Sequence, residues 1–498
     1  MRRSVTSLLL LGTTFSLVPV LAATSAPTAG AAADQSPDFN GDGYADLAVG
    51  AQYENRSRGV VHVLYGSASG PTGSGSIVFG EDTAGVPGVA SPGDQFGTIL
   101  AHGNVNGDAY DDLVVGTPND TVSGRSAAGS ITLFRGSASG LRLTGKQFTD
   151  SFGPGTVRPN EFFGIGLALG DYDGDGDDDI AVGIPLDDLD FDRDPSGVGR
   201  VKILRSTNGG FSESNVWVVD RRSLPSSVRQ NFTAGFGAAL ATLQGTADFD
   251  GLAIGMPEYS TTRYAVGAVV TYRGGASAMR YSDTFVGSHG TETYYGETLA
   301  AGDLTGDGND DLAVGTSQAA NGQGRVDVIA LARDRTNILP PFKLSSSNAG
   351  HDPLSNDFFG SSVAIVDSAP TPYLYVGATG DEAGPRFNGG SVYVFVGDGN
   401  SRPDPHSTPR FTQPGAVRNG RFGWQITTLD ASNDGFDDIV VTSDHTVNGK
   451  AFAGAVWYYD SNDGSPVTAS PVEFNQDTPG VLDRAEENDG FGSTLPYL

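Results

Sequence analysis

The sequence predicts an all-β fold: a seven-bladed β-propeller of four-stranded blades, closed by pairing of the C-terminal strand with the N-terminal repeat. Three observations predict it. An aromatic-glycine pair recurs seven times, an aspartate-rich loop follows most of the pairs at a fixed distance, and the two chain ends complement each other. The pairs are Phe96-Gly97, Phe163-Gly164, Phe236-Gly237, Tyr295-Gly296, Phe359-Gly360, Phe422-Gly423 and Phe491-Gly492, spaced 59 to 73 residues apart.

Eight residues after each of the first six aromatics stand Asn104, Asp171, Gln244, Asp303, Asp367 and Asp430. Each loop runs into a short apolar segment, such as Leu47-Ala48-Val49-Gly50 or Ile180-Ala181-Val182-Gly183. A third segment follows a glycine and alternates with period two, as in Gly129-Ser130-Ile131-Thr132-Leu133-Phe134, and a fourth fits around Ile77-Val78-Phe79. Segments of this length, alternation and Gly/Pro/Asn/Asp punctuation are strands. No stretch beyond residue 34 has useful helical periodicity. The first Asp loop, at Asp38, has no aromatic-glycine strand before it, and the last such strand, Phe491 to Leu498, has no loop after it. The orphan strand therefore fits the orphan loop, which removes an exposed edge.

Bulk composition bounds the rest. The 71 glycines suit a turn-rich β protein, and the absence of cysteine excludes disulfides, thiolate chemistry and cysteine-ligated zinc. A net charge of −29, from 59 acidic against 30 basic residues, repels phosphate backbones and anionic membranes, so no nucleic-acid partner and no membrane insertion are expected. Arg2 and Arg3, the apolar run Leu8 to Leu21 and the small residues Ala31-Ala32-Ala33 read as a signal peptide over residues 1–33. The propeller then occupies 34–498, in a secreted, monomeric protein.

Five loops carry oxygen side chains at positions 1, 3, 5 and 9, with a backbone carbonyl at position 7. The first is Asp38, Asn40, Asp42, Tyr44 and Asp46, and the second is Asn104, Asn106, Asp108, Tyr110 and Asp112. The third is Asp171, Asp173, Asp175, Asp177 and Asp179. The last two are Asp303, Thr305, Asp307, Asn309 and Asp311, then Asp430, Ser432, Asp434, Phe436 and Asp438. Hard oxygens alternating on a curled loop suit calcium, which takes six to eight of them; the all-oxygen set disfavours zinc. An EF-hand is excluded, because no Glu stands at position 12 and a strand follows instead of a helix. About five Ca2+ sites are expected. The third loop, with four carboxylates, is the tightest; the second, with two and with Ala109 replacing the position-6 glycine, is the weakest. The stretches Gln244 to Asp250 and Asp367 to Pro372 lack the pattern and should hold no ion.

The Phe-Gly pair, the Asp loop and the Gly-Ala-Pro-like turn together resemble the FG-GAP repeat of integrin α-subunit propellers. The motif Tyr65-Gly66-Ser67-Ala68-Ser69-Gly70, repeated as Arg135-Gly136-Ser137-Ala138-Ser139-Gly140, is similar to exported actinobacterial FG-GAP proteins. The seventh turn, Val441-Thr442-Ser443, departs from the pattern. The resemblance implies calcium loops at the lower edge and a partner-binding upper face. There, the segment holding Asp187, Asp188, Asp190, Asp192 and Asp194 reads either as a solvated acidic loop or as a partner or cation site.

No catalytic motif occurs: the six histidines are scattered, GxSxG is absent, and Gly164-Ile165-Gly166 has no following helix. Trp217, Trp424 and Trp457 are assigned to packing. The leading expectation is a calcium-binding extracellular scaffold, of cell-adhesion type, for a protein or glycan. The alternatives are a propeller lectin and a hydrolase akin to glycosylphosphatidylinositol-specific phospholipase D. Sequons at Asn55, Asn119 and Asn231 would make it a glycoprotein only in a glycosylating host.

Overall fold

A computed structural model of the protein describes residues 36–497, apart from 188–198, 230–234, 245–248, 260–265, 288–293, 333–339, 369–370, 383–387, 398–402, 416 and 462–469. The expected signal peptide, most of the acidic 187–194 loop and the sequon at Asn231 lie outside the described residues.

Seven antiparallel sheets follow one another along the chain and form the seven blades of a propeller. Blade one contains β1 (Leu47–Ala51), β2 (Val60–Tyr65) and β3 (Thr72–Phe79). Blade two contains β4 (Ile99–Gly103), β5 (Asp112–Thr117), β6 (Ser130–Arg135) and β7 (Arg142–Phe148). Blade three is β8 (Gly166–Gly170), β9 (Asp179–Ile184), β10 (Arg200–Thr207) and β11 (Gly210–Asp220). Blade four is β12 (Ala239–Leu243), β13 (Gly251–Met256), β14 (Ala268–Arg273) and β15 (Arg280–Val286). Blade five is β16 (Thr298–Gly302), β17 (Asp311–Thr316), β18 (Arg325–Ile329) and β19 (Phe342–Leu344). Blade six is β20 (Phe359–Val366), β21 (Tyr373–Ala378), β22 (Ser391–Val396) and β23 (Asp404–Phe411). Blade seven is β24 (Ile426–Leu429), β25 (Asp438–Ser443), β26 (Ala455–Tyr459) and β27 (Val472–Phe474); β28 (Pro496–Tyr497) ends the chain.

The order within a blade follows from burial. The strand after each Asp loop, or after the degenerate loop in its place, is covered on both faces, so β1, β5, β9, β13, β17, β21 and β25 are buried along their whole length. Such strands read as unbroken apolar runs rather than as alternation. The outermost strand β7 alternates exposed and half-buried residues, as a solvent-facing blade edge does.

The aromatic-glycine pair is the device that joins blades. Its aromatic side chain is buried at every repeat, from Phe96 to Phe491. Its N–H is held by the preceding blade: Phe96 donates to the Arg58 carbonyl, Phe163 to Ala128, Phe422 to Gly389 and Phe491 to Ala453. Its glycine has φ near +85°, where other residues are strained. The glycine of the preceding blade's second strand presses on it so closely that a Cβ on Gly183 would lie 1.9 Å from the Gly237 carbonyl oxygen. That neighbour is backbone and has no rotamer to escape into. Gly183→Ala is therefore expected to cost at least about 1–3 kcal/mol, the usual range for overpacking, read as a lowered melting temperature.

A second set of bonds links the lower edges of neighbouring blades. The N–H groups of Asp111, Asp178, Asp250 and Asp310 donate to the carbonyls of Asp38, Asn104, Asp171 and Gln244. In return, the Asp178 carboxylate accepts from Asn104 N–H at 2.7 Å, and Asp250 from Asp171 N–H at 2.9 Å. Between blades seven and one, Ala45 N–H donates to the Asp430 carbonyl and Asp430 N–H to Ser36 Oγ.

At the chain end the structure is more divided than the expected single strand. Gly492 N–H donates to the Gly50 carbonyl at 3.0 Å, as Gly164 N–H does to Gly183, and Gly50 N–H donates to the Thr494 carbonyl at 2.8 Å. Thr494 pairs antiparallel with Gly50 as an isolated bridge, whereas β28 runs parallel to β4 of blade two. Blade one thus keeps three strands of its own. The C-terminal segment lies between it and blade two, because Pro496 cannot donate to a continued ladder.

Candidate metal loops and an upper-face cavity

Antiparallel connectivity sorts the functional residues. The loops from first to second strand lie at one edge of the ring, while the aromatic-glycine pairs and the loops from second to third strand lie at the other. All five predicted Asp loops therefore share the lower edge.

Within a loop the position-1 carboxylate organises the turn. Asp38 accepts from Gly41 N–H at 2.6 Å and Gly43 N–H at 2.9 Å. Asp171 accepts from the N–H groups of Gly174, Asp175 and Gly176 at 2.7, 3.1 and 3.0 Å. Asp303 does the same for Asp307 and Gly308, and Asp430 for Asp434 and Gly435. Position 5 accepts from position 7 in each case, as Tyr44 N–H to Asp42 and Phe436 N–H to Asp434, both at 3.0 Å. The glycine at position 6 has φ of +88° in the first loop and +92° in the third, which only glycine adopts without strain.

The position-9 aspartates are fully buried and tie the start of the strand that follows the loop to the end of the next strand. Asp46 accepts from Gly66 N–H, Asp179 from Ser206 N–H, and Asp438 from Ser461 N–H and the Tyr458 hydroxyl. Burial, above all, pushes their carboxyls up, to about 8 in Asp46, about 9 in Asp179, and about 7 in Asp311 and Asp438; neighbouring loop carboxylates add to it. These residues thus hold strands together as well as facing the loop, a role their spacing alone did not reveal.

The donor set fits a hard cation in four loops. In the third loop, one oxygen each of Asp171, Asp173 and Asp175 lies within 4.8 Å of the others. Asp173 Oδ1 and Asp179 Oδ2 are buried there without a hydrogen-bond partner. Thr305 Oγ1, Asn309 Oδ1 and Ser432 Oγ are likewise buried and unsatisfied in their loops. Oxygens left in this state are costly unless a cation meets them. The second loop differs. Arg135 Nη1 stands 3.0 Å from Asp112 Oδ2, and Asn106 Nδ2 donates to Asp108 Oδ2 at 2.9 Å. Arg135 balances a loop of only two ligand carboxylates, whereas Arg205 Nη1, 2.8 Å from Asp173 Oδ2, offsets one of four in the third loop. The repeat pattern did not show this because Arg135 lies 23 residues beyond Asp112.

The upper edge carries two adjoining cavities, of about 880 and 620 Å³. They share Arg421, Trp424 and Phe452. The larger one adds Tyr53, Arg56 and Glu486 from blades one and seven, and the smaller adds Phe358, Asn388 and Asn419. Tyr53 is 46% and Phe452 41% exposed, and the Arg421 guanidinium stacks over Trp424 at 5.2 Å. Trp424, assigned to packing from sequence, is instead a half-buried wall of both cavities. The rim includes three successive left-handed residues, Asn55, Arg56 and Ser57, with φ of 55°, 66° and 58°. Each costs about 1–2 kcal/mol relative to ordinary backbone, so the loop is held rather than relaxed. Gly93 and Gln95 hold it by donating to the Ser57 carbonyl.

Among the described residues, no helix is long and apolar enough to cross a membrane. The FG-GAP repeat family model matches residues 29–64, 96–134, 163–204, 295–329 and 422–459, and a second FG-GAP repeat model matches 349–395. Integrin alpha-PS2 of Drosophila melanogaster is 30% identical over 190 residues, which are 37% of this chain and 12% of that protein. Integrin alpha-5 of Xenopus laevis is 29% identical over 195 residues, 37% of this chain and 17% of that protein. The matches thus span less than a fifth of either relative. Among solved structures, the six-bladed propeller lectin of Aleuria aurantia aligns with a TM-score of 0.35 at 14% identity, covering 76% of this chain and 96% of that one. Rhamnogalacturonan lyase YesW aligns with a TM-score of 0.34 at 12% identity, covering 88% and 86%. With matched repeats on six of seven blades, and the pair, loop and glycine seam recurring in register, the chain is an FG-GAP repeat protein.

Proposed function

We propose that this protein is an exported, calcium-loaded propeller that serves as a rigid scaffold for a protein or glycan partner seated on its upper face. The observation that carries the calcium reading is the third loop, where three carboxylates converge and buried oxygens lack partners. Asp38, Asp171, Asp303 and Asp430, with the residues at positions 3, 5 and 9 of their loops, would hold the ions. Bound calcium supplies positive charge that offsets the loop carboxylates; the chain's own contribution is to curl the loop, anchor position 9 and carry that rigidity up the strands. Asp173→Ala should lower the bound calcium by one ion per chain, whereas Asp108→Ala should leave it unchanged, as counted by native mass spectrometry. Equal losses in both would contradict the division of loops.

The partner reading rests on the larger cavity, whose exposed aromatics and mixed charges suit a polar ligand with an apolar face. A glycan array and a binding screen against extracellular proteins, each run with wild type and Trp424→Ala, test it. Binding that is lost in Trp424→Ala, while the melting temperature stays within a few degrees, supports the reading. Binding unaffected by the substitution would move the site elsewhere.

A further inference from the structure

At the upper edge, two successive junctions between blades bring together the same three positions. One lies two residues after the last strand of a blade, one lies two residues before the next aromatic-glycine pair, and one lies three residues after the next blade's second strand. Between blades two and three these are Asp150, Glu161 and Asp187. Three cations meet them. Arg200 Nη2 and Lys202 Nζ stand 2.6 and 3.0 Å from Asp150 Oδ1, and Arg200 Nε stands 2.6 Å from Asp187 Oδ2. Arg158 Nη1 lies 3.1 Å from Asp187 and 3.9 Å from Glu161. The carboxylates are buried and their charge is matched.

Between blades one and two the same positions are Glu81, Asp94 and Asp120, again three carboxylates, all buried, with one oxygen of each within 4.8 Å of the others. Here the corresponding positions carry no cation. The registers of Arg200 and Lys202 are held by Ser130 and Thr132, since Thr132 pairs with Val115 of the second strand as Lys202 pairs with Val182. Among the described residues, no cationic nitrogen lies within 4 Å of the three. Arg58 is near enough only to favour the charged form of Asp94. Asp94 accepts from Ser91 N–H at 2.6 Å, and Asp120 from Gln147 Nε2 at 3.3 Å. Glu81 is 7% exposed, and neither of its oxygens has a partner. Gly88 is packed over it so tightly that a Cβ there would fall 2.1 Å from Glu81 Oε1. The Thr132 hydroxyl is buried and also unsatisfied.

We infer that Glu81, Asp94 and Asp120 form a divalent-cation site that replaces, at this junction, the arginine and lysine charges of the next one. Three carboxylates on a buried, oxygen-only site select a hard ion such as calcium, manganese or magnesium over zinc or copper. The site lies at the opposite edge from the Asp loops and shares no residue with them. It ties the last strand of blade one to the first turn of blade two. Burial, with Asp120 and Asp94 beside it, pushes the Glu81 carboxyl up to about 8 when no ion is present, which is the cost a cation would remove.

Two variants of the full chain test this, with calcium and manganese counted by native mass spectrometry after stripping and reloading. Glu81→Gln removes a ligand; Thr132→Lys supplies the amine that Lys202 gives the next junction. Both are expected to bind one ion fewer than wild type, and Thr132→Lys should melt higher than wild type in chelator. Should Glu81→Gln fail to fold, Thr132→Lys decides alone. An unchanged ion count in Thr132→Lys would mean that the carboxylates share protons instead, and would overturn the inference. The difference between wild type and variant is read independently of the loops: failure of the loop reading lowers the wild-type count but leaves that difference.

Discussion

Deleting residues 488–498 is expected to abolish stable folding of the propeller. The segment buries Phe491 and Leu495 in one cluster with Leu47, Val49, Tyr458 and Phe474, so it joins side chains from the first and last blades. It also makes the Gly492–Gly50, Gly50–Thr494 and Phe491–Ala453 backbone bonds, and Thr427 Oγ1 donates to the Pro496 carbonyl at 2.9 Å. Loss of two large buried side chains removes about 3–6 kcal/mol, and several hydrogen bonds remove about 1 kcal/mol each. That sum is comparable with a typical net stability of about 5–15 kcal/mol. The deletion would also bare the edge of β1 to aggregation. No disulfide can compensate, since the protein has no cysteine. Phe491→Ala should show the same effect in smaller measure, about 3–5 kcal/mol. Circular dichroism melts compare the three proteins; a truncated chain that melts cooperatively at the wild-type temperature would refute a closed ring.

Removing calcium should have the second largest effect. A ligand at a hundred times its dissociation constant stabilises the folded state by about 2.7 kcal/mol per site, so four loaded loops together contribute on the order of 10 kcal/mol. Chelator should accordingly lower the melting temperature by on the order of 10 °C, and added calcium should restore it. The expected mechanism is local. Without an ion, Asp171, Asp173 and Asp175 repel one another across less than 5 Å, and their loop loosens. The second loop has only two ligand carboxylates and Arg135 faces one of them, while Arg205 offsets only one of four in the third, so hydrogen exchange should rise in the first and third loops and stay low in the second. Equal exchange with and without calcium in all loops would contradict the calcium reading.

Much of this architecture is legible in the sequence because the repeat states it seven times. Phe163-Gly164 is recognisable without coordinates, since only a glycine can take φ of +89° beside a neighbouring glycine's backbone. The Asp loops are legible for a similar reason: their ligand positions lie within nine residues of one another, so spacing alone places them. What the sequence hid is what the fold assembles from distant segments. Glu81, Asp94 and Asp120 lie on three separate turns, and the absent cations become visible only beside Arg200 and Lys202 of the next junction. Arg135 reaches Asp112 from the far end of the third strand. Trp424 follows its Phe-Gly pair directly, as an inward packing residue would, but the upper edge opens there into two cavities. The C-terminal segment is an intermediate case. Its partnership with blade one can be counted from the repeat, whereas its parallel step onto β4 depends on Pro496 and on the space between two blades.

The most direct test of the account is a crystal structure of the protein grown with calcium, with anomalous difference density used to locate the ions. Peaks are predicted in the loops beginning at Asp38, Asp171, Asp303 and Asp430, and none in the loop at Asn104, where Arg135 stands. Density absent from all four of those loops, with their carboxylates turned to solvent, would contradict it.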